Sequence, residues 1–267
     1  MIADYHVHTA FSDDSTYPMQ DCLNHAIELG VEEICFTEHV DYGVKGKPGQ
    51  KPNCPTEEYL AEFNRCKKIF DGKIKMKFGM EFGMQVSTVE EFQKLFNAYP
   101  FDFIILSCHQ VDNQEFWTYE YQKTHTQEEY YQRYYQEIFD VMKVYDDWSV
   151  LGHLDMVKRY DKWGEYPFEK VRDIIAEILK LAIKKGKGIE INTSCYRYKL
   201  PDLTPSHEIL KLYRDLGGKI LTIGSDSHAE SHLAVKIKET QAEILNLGFK
   251  NIYTFDKMQL VEHSLQS

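Results

Sequence analysis

Seven short apolar runs, separated by longer stretches of helical character and nearly all ending on a histidine or an acid, constrain this chain more than any other feature of its sequence. The runs cover residues 2–8, 33–39, 75–82, 101–109, 149–153, 188–192 and 219–225, and helical patterns fill 19–29, 56–70, 89–99, 126–145, 168–185 and 205–216. Such alternation is the mark of successive βαβ units around a parallel sheet. An open sheet gathers its ligands at one crevice, whereas in a barrel side chains from many strand ends converge on one face. Glu38-His39 closes I-C-F-T-E-H, Glu81 closes M-K-F-G-M-E-F-G, His109 closes F-I-I-L-S-C-H, His153 closes S-V-L-G-H-L-D, and Asp226 and His228 follow I-L-T-I-G. With polar residues at so many strand ends, the expectation is a single-domain α/β barrel spanning residues 1–267.

His6 and His8 stand two apart in the first strand, so a regular strand turns both imidazoles one way and Tyr5 and Val7 the other. Of the eleven histidines, six (His6, His8, His39, His109, His153, His228) sit where an apolar run ends, while His25, His125, His207, His232 and His263 lie in helical or loop stretches. A lone histidine after a strand is usually structural. Six of them interleaved with Asp14, Glu81 and Asp226 point instead to a shared metal site, and imidazole mixed with carboxylate suits zinc, manganese or iron.

Composition narrows the function. A formal net charge of −11 speaks against electrostatically driven binding to nucleic acid or anionic membranes. No run approaches the roughly 18 apolar residues of a membrane helix. The six cysteines form no C-x-x-C pair and read as reduced core residues. The first residues, M-I-A-D-Y-H-V-H, carry no basic, apolar or small-residue pattern of a secretory signal, so the cytoplasm is the expected compartment.

Two stretches break the rhythm. Residues 41–55 hold three prolines and three glycines and read as a loop. Residues 112–135 include the run Y-E-Y-Q-K-T-H-T-Q-E-E-Y-Y-Q-R-Y-Y, which suits an amphipathic helix packing its rings on the barrel, or alternatively a lid.

The ordered set H-V-H, Asp14, T-E-H, G-M-E-F-G, S-C-H, G-H-L-D and G-S-D-S-H resembles the superfamily named for polymerase-associated and histidinol phosphatase domains, and within it the histidinol phosphate phosphatases, over almost the whole chain. The resemblance implies a distorted seven-stranded (β/α) barrel holding three divalent ions. It groups the ligands as His6, His8, Glu81 and Asp226; Glu81, His109 and His153; and Asp14, His39 and His228. Glu81 then bridges, because only a group with two acceptor oxygens spans a metal pair roughly 3.5–4 Å apart. Some relatives carry a histidine where this sequence has Asp14, so the third group is expected to lean toward oxygen ligation.

The implied reaction is hydrolysis of L-histidinol phosphate, a small phosphate monoester, by a metal-activated hydroxide, with Glu81 and Asp226 organising the centre and His228 or His109 supplying the leaving group's proton. Arg159 and Arg197, just beyond ligand strands, are candidate phosphate forks, with Lys158 a lesser one. Residues 41–55 and Asp112, Glu115, Phe116 and Trp117 are candidates for the organic half. The alternatives are a nucleotide or oligonucleotide phosphohydrolase, an amidohydrolase, or a metal-binding protein without activity.

Overall fold

A computed structural model describes residues 1–44 and 53–265, so residues 45–52 of the expected 41–55 loop lie outside the described residues. In chain order the strands are β1 (Ala3–Val7), β2 (Glu33–Val40), β3 (Lys75–Gly83), β4 (Phe103–Ser107), β5 (Gln110–Val111), β6 (Gln114–Glu115), β7 (Val150–Leu151), β8 (Gly188–Asn192), β9 (Leu221–Gly224), β10 (Asn251–Asp256) and β11 (Gln259–Ser264). The α-helices are α1 (Met19–Glu28), α2 (Thr56–Ile69), α3 (Val89–Ala98), α4 (Glu120–Thr124), α5 (Gln127–Val144), α6 (Arg172–Lys184), α7 (His207–Asp215) and α8 (Ile237–Asn246). No described helix is long and apolar enough to cross a membrane.

Seven strands form one sheet in the order β1-β2-β3-β4-β7-β8-β9, its neighbours pairing in parallel. The sheet curls until its edges meet, as the sequence led one to expect. Closure is thin: a parallel bridge joins Val7 to Ser227, with His8 N donating to Ser227 O at 2.8 Å. The buried Asp4 carboxylate completes the seam, accepting from Ser225 N at 2.8 Å and Ala234 N at 3.0 Å.

Helices cover the outside because the outward residues of the strands are apolar. Phe36, Phe78, Phe82, Ile104 and Leu151 join Leu23, Tyr59, Phe92, Ile178 and Tyr213 in the main core. The tyrosine-rich stretch belongs to this layer: Thr126 caps α5 through a reciprocal box with Glu129, and Tyr130, Tyr131, Tyr134 and Tyr135 are all buried. It packs on the barrel.

The alternation expected in β1 fails at one place. Asp4 pairs with Ile34 but Val7 with Phe36, so three steps along β1 match two along β2. That β-bulge lets Tyr5 join an interior cluster with Phe103 and Phe255 while His6, its neighbour, also serves the barrel's mouth. Phe255 comes from the hairpin β10–β11, which seals the barrel's amino end; neither it nor α8 stood out in the sequence.

A candidate metal centre at the carboxyl ends of the strands

Register puts the central ligand in place. In the long β2–β3 ladder His39 pairs with Glu81, so the two side chains rise from the same side of the sheet. Glu81 is fully buried, and its two oxygens face different partners. Oε1 lies 2.8 Å from His153 Nε2, 3.1 Å from His109 Nε2 and 2.7 Å from Ser107 Oγ. Oε2 lies 2.9 Å from His39 Nδ1, 3.1 Å from His6 Nε2 and 3.5 Å from His8 Nε2.

Around this carboxylate the remaining residues close in. Asp226 Oδ1 stands 3.8 Å from His6 Nε2 and 3.7 Å from His8 Nε2. Its backbone is left-handed, at φ 55, a conformation asparagine and aspartate tolerate better than most residues. Asp14 Oδ2 lies 3.1 Å from His228 Nε2 and 3.8 Å from His39 Nε2, and those two histidine nitrogens are 3.3 Å apart. All nine residues expected as ligands thus meet at one face.

Do these residues fit divalent ions? His8 Nε2 is buried and has no hydrogen-bond partner, yet sits 3.5 and 3.7 Å from two carboxylates. Donors each about 2.0–2.2 Å from one ion stand roughly 3–4 Å apart, and the two His8 distances fall in that range while being too long for good hydrogen bonds. Ligand atoms of His6, His8 and Glu81, of Glu81, His109 and His153, and of His8, His39 and His228 each fall within 4.8 Å of one another. The donor set fits.

The carboxylates and imidazoles stabilise one another's charge: despite burial, Glu81 with Glu190, Asp14 or Asp41 raises His6, His39 and His109 respectively. Burial alone would push the Glu81 carboxyl up, but His6, His109 and His39 hold it well below the usual carboxylate range. Burial acts the same way on Asp226, and His6 and Arg159 overcome it. Asp14, despite burial that raises it, is brought to about 2 by His39 and His228. Burial, with His39 and His228 beside it, keeps the His8 imidazole far below its ordinary value and therefore neutral, the form that binds a metal.

The cluster opens into a cleft of about 270 Å³ whose wall includes Asp13, Asp41, Glu115, Trp117, Arg159 and Tyr198. Arg159, in the 3₁₀ turn Met156–Tyr160, is almost wholly buried and donates through Nη2 to Asp226 Oδ2 at 3.2 Å and Ser194 Oγ at 2.5 Å. Arg197 Nη2 donates to Asp226 O at 3.2 Å. The two guanidinium groups lie 4.6 and 5.1 Å from the centre of the Tyr198 ring.

Three expected contacts are corrected. Lys158 is no phosphate donor: its ammonium turns to Asp155 Oδ2 at 2.7 Å and Leu203 O at 2.6 Å, a local pairing three residues apart that holds it off the cleft. Asp112 pairs with Arg133 at 3.2 Å, and Phe116 is buried in the core, while their neighbours Glu115 and Trp117 do line the cleft. Asp112 sits in the turn of the short hairpin β5–β6, at φ 52, and Phe116 and Trp117 in the 3₁₀ turn Phe116–Thr118 that follows it.

Two carboxylates escaped the sequence reading. Asp41 Oδ1 accepts from His109 Nδ1 at 2.7 Å; heading a loop rich in glycine and proline, it looked like a turn residue. Glu190 accepts from His6 Nδ1 at 2.5 Å, and its signal was a lone acid inside the apolar strand G-I-E-I-N.

A parallel barrel with six imidazoles around a fully buried carboxylate at its carboxyl face defines the class of barrel metallohydrolases. The chain belongs to the PHP domain family, whose model matches residues 4–194. The histidinol-phosphatase of Lactococcus lactis is 34% identical over 260 residues, covering 96% of this chain and 95% of that protein. The histidinol-phosphatase of Saccharomyces cerevisiae is 21% identical over 92% of this chain and 89% of its own length. A crystal structure of the Lactococcus lactis histidinol phosphate phosphatase, complexed with zinc, L-histidinol and phosphate, superposes with a TM-score of 0.85 at 32% identity, covering 97% of this chain and 98% of that one.

Proposed function

We propose that this chain hydrolyses L-histidinol phosphate to L-histidinol and phosphate, a step of histidine biosynthesis, using divalent metal ions. One observation carries the reading: each oxygen of Glu81 serves a different set of imidazoles, beside two arginines, in a chain aligned over nearly its full length with a phosphatase solved with histidinol and phosphate. We take residues 1–267 as one unit, since the barrel closes only with β9 and is plugged by β10–β11.

Three ions fit the donor atoms: one at His6, His8, Glu81 and Asp226, one at Glu81, His109 and His153, and one at Asp14, His39 and His228, with zinc, manganese or iron as candidates. When bound, such ions would supply Lewis acidity and let a water lose its proton near neutral pH, so that hydroxide is available to attack phosphorus. Arg159 and Arg197 bind the phosphate oxygens and orient phosphorus, their guanidinium planes steadied by Asp226 and the Tyr198 ring. Across the cleft Asp13, Asp41 and Glu115 place negative charge where a cationic amine would sit, beside the Trp117 ring. Both nitrogens of His109 and His228 are engaged, His109's by Asp41 and Glu81 and His228's by Asp226 O and Asp14, which supports reading both as metal ligands. The six cysteines are all buried and none forms a disulfide, which suits the cytoplasm as the place of reaction.

Phosphate release from L-histidinol phosphate, other phosphomonoesters and single-stranded DNA tests this. kcat/KM is expected to favour L-histidinol phosphate by roughly 10²-fold or more, a factor within reach of sites that hydrogen-bond their substrate. Equal efficiency across unrelated monoesters, or nucleotide release from DNA as the best reaction, would overturn it.

A further inference from the structure

The ligand groups described above are separate in sequence and come from different strands, yet one buried side chain outside them touches two. Glu190, on β8, has 1% of its side chain exposed. Its Oε1 accepts from His6 Nδ1 at 2.5 Å and its Oε2 accepts from the backbone N–H of His153 at 2.8 Å. His6 belongs to the first ligand group and His153 to the second. With Nε2 of His6 turned to Glu81, Nδ1 is the nitrogen that carries the proton and donates outward.

The surroundings are shaped for this carboxylate. A Cβ at Gly224 would stand 2.7 Å from Glu190 Oε1 and 2.2 Å from His6 Cβ, so only bare backbone at 224 lets the acid and the imidazole meet. Asn192 Nδ2 donates to Glu190 Oε2 at 3.2 Å, and Asn192 Oδ1 accepts from Arg159 Nη2 at 3.3 Å, which extends the chain of contacts to the phosphate side of the cleft.

We propose that Glu190 is a positioning residue that couples the first and second metal sites, fixing the ring of His6 and the backbone of His153 with its two oxygens at once. It rests on reading His6 and His153 as ligands. A carboxylate satisfies both donors. A glutamine cannot: its carbonyl oxygen can meet only one of them, its NH₂ then faces the other N–H, and that donor–donor repulsion drives the amide off both contacts. Losing such an outer contact to a metal-ligating histidine typically weakens metal binding roughly 10- to 100-fold.

The test is zinc retention, measured by chelator competition with elemental analysis on wild type, Glu190→Gln, Glu190→Asp and His153→Ala, alongside melting of the metal-free proteins. Glu190→Gln is expected to lose two zinc ions together at roughly 10- to 100-fold lower chelator concentration, while His153→Ala loses one. Metal-free melting should stay near wild type, so that the zinc-induced rise shrinks without a loss of fold. Glu190→Asp, too short to reach both donors, should weaken one ion and serves if the glutamine variant does not fold. Wild-type zinc retention in both glutamine and aspartate variants, or weakening of a single ion in Glu190→Gln, would overturn the coupling while leaving the ligand assignment standing. A wild type that holds no zinc, manganese or iron would remove both.

Discussion

The two ends of the barrel solve opposite problems. At the amino end Tyr5, Phe103, Ile105, Val150 and Phe255 form a buried interior plug, and its polar atoms are paired: Tyr5 Oη donates to Glu33 and accepts from Phe255 N at 2.9 Å. At the carboxyl end the interior is filled by imidazoles and carboxylates, with His8 Nε2 buried and unpartnered and Asp226 in a left-handed backbone. A buried polar group without a partner costs about 1–3 kcal/mol. The contrast teaches that apolar packing at one end lets the fold hold a costly, preorganised cluster at the other.

Glu81→Ala should break the comparison hardest. Losing the carboxylate that the first and second proposed metal sites share should lower kcat/KM by more than about 10³-fold, beyond the roughly 10- to 100-fold that follows loss of an outer contact. Melting of the metal-free protein should shift by only a few degrees, because the amino-end plug is untouched. Steady-state kinetics and calorimetry check the pair of outcomes; activity within tenfold of wild type would mean that the bridging reading is wrong.

Phe255→Ala is the mirror experiment. Truncating this ring leaves a void beside Phe103, in the cluster that also holds Tyr5, and such changes cost roughly 3–5 kcal/mol. At about 2–4 °C per kcal/mol for a chain of this size, melting should fall by roughly 10 °C. Activity per folded molecule, assayed well below the transition, should stay within about threefold if the two ends are as independent as their chemistry is different. Loss of zinc along with stability would instead tie the plug to the site.

The carboxyl end was the legible one. A histidine or acid closing an apolar run is visible because strand period and ligand chemistry are both written locally, and His6, His39, Glu81, His109 and His153 each show it. The amino end was not. Its hairpin turns at Lys257 and Met258, both left-handed at φ 49 and 65, without the asparagine or glycine that marks such a turn. The β1 bulge is likewise silent, since one extra residue in a ladder depends on the partner strand. Lys158 and Asp112 misled because a charge beside a ligand strand is as readily claimed by a neighbouring residue, here Asp155 and Arg133, as by a cleft.

The smallest expected effect sharpens where the carboxyl end stops. Asp41 Oδ1 receives the Nδ1 proton of His109 at 2.7 Å, leaving Nε2 toward Glu81, and a Cβ on Gly83 would fall within 1.7 Å of the same oxygen. Unlike Glu190, Asp41 lies on the cleft wall and its hydrogen bond goes to one ligand, His109, with His39 within 4.8 Å. Asp41→Asn keeps an acceptor of the same size but removes the charge that makes the imidazole a stronger donor to a metal. One zinc ion should then bind about tenfold more weakly, with the others unchanged and metal-free melting close to wild type. A calorimetric zinc titration separates the ions. If all of them weakened together, Asp41 would belong to the same coupled core as Glu190, and the boundary between cluster and cleft would have to be drawn further out.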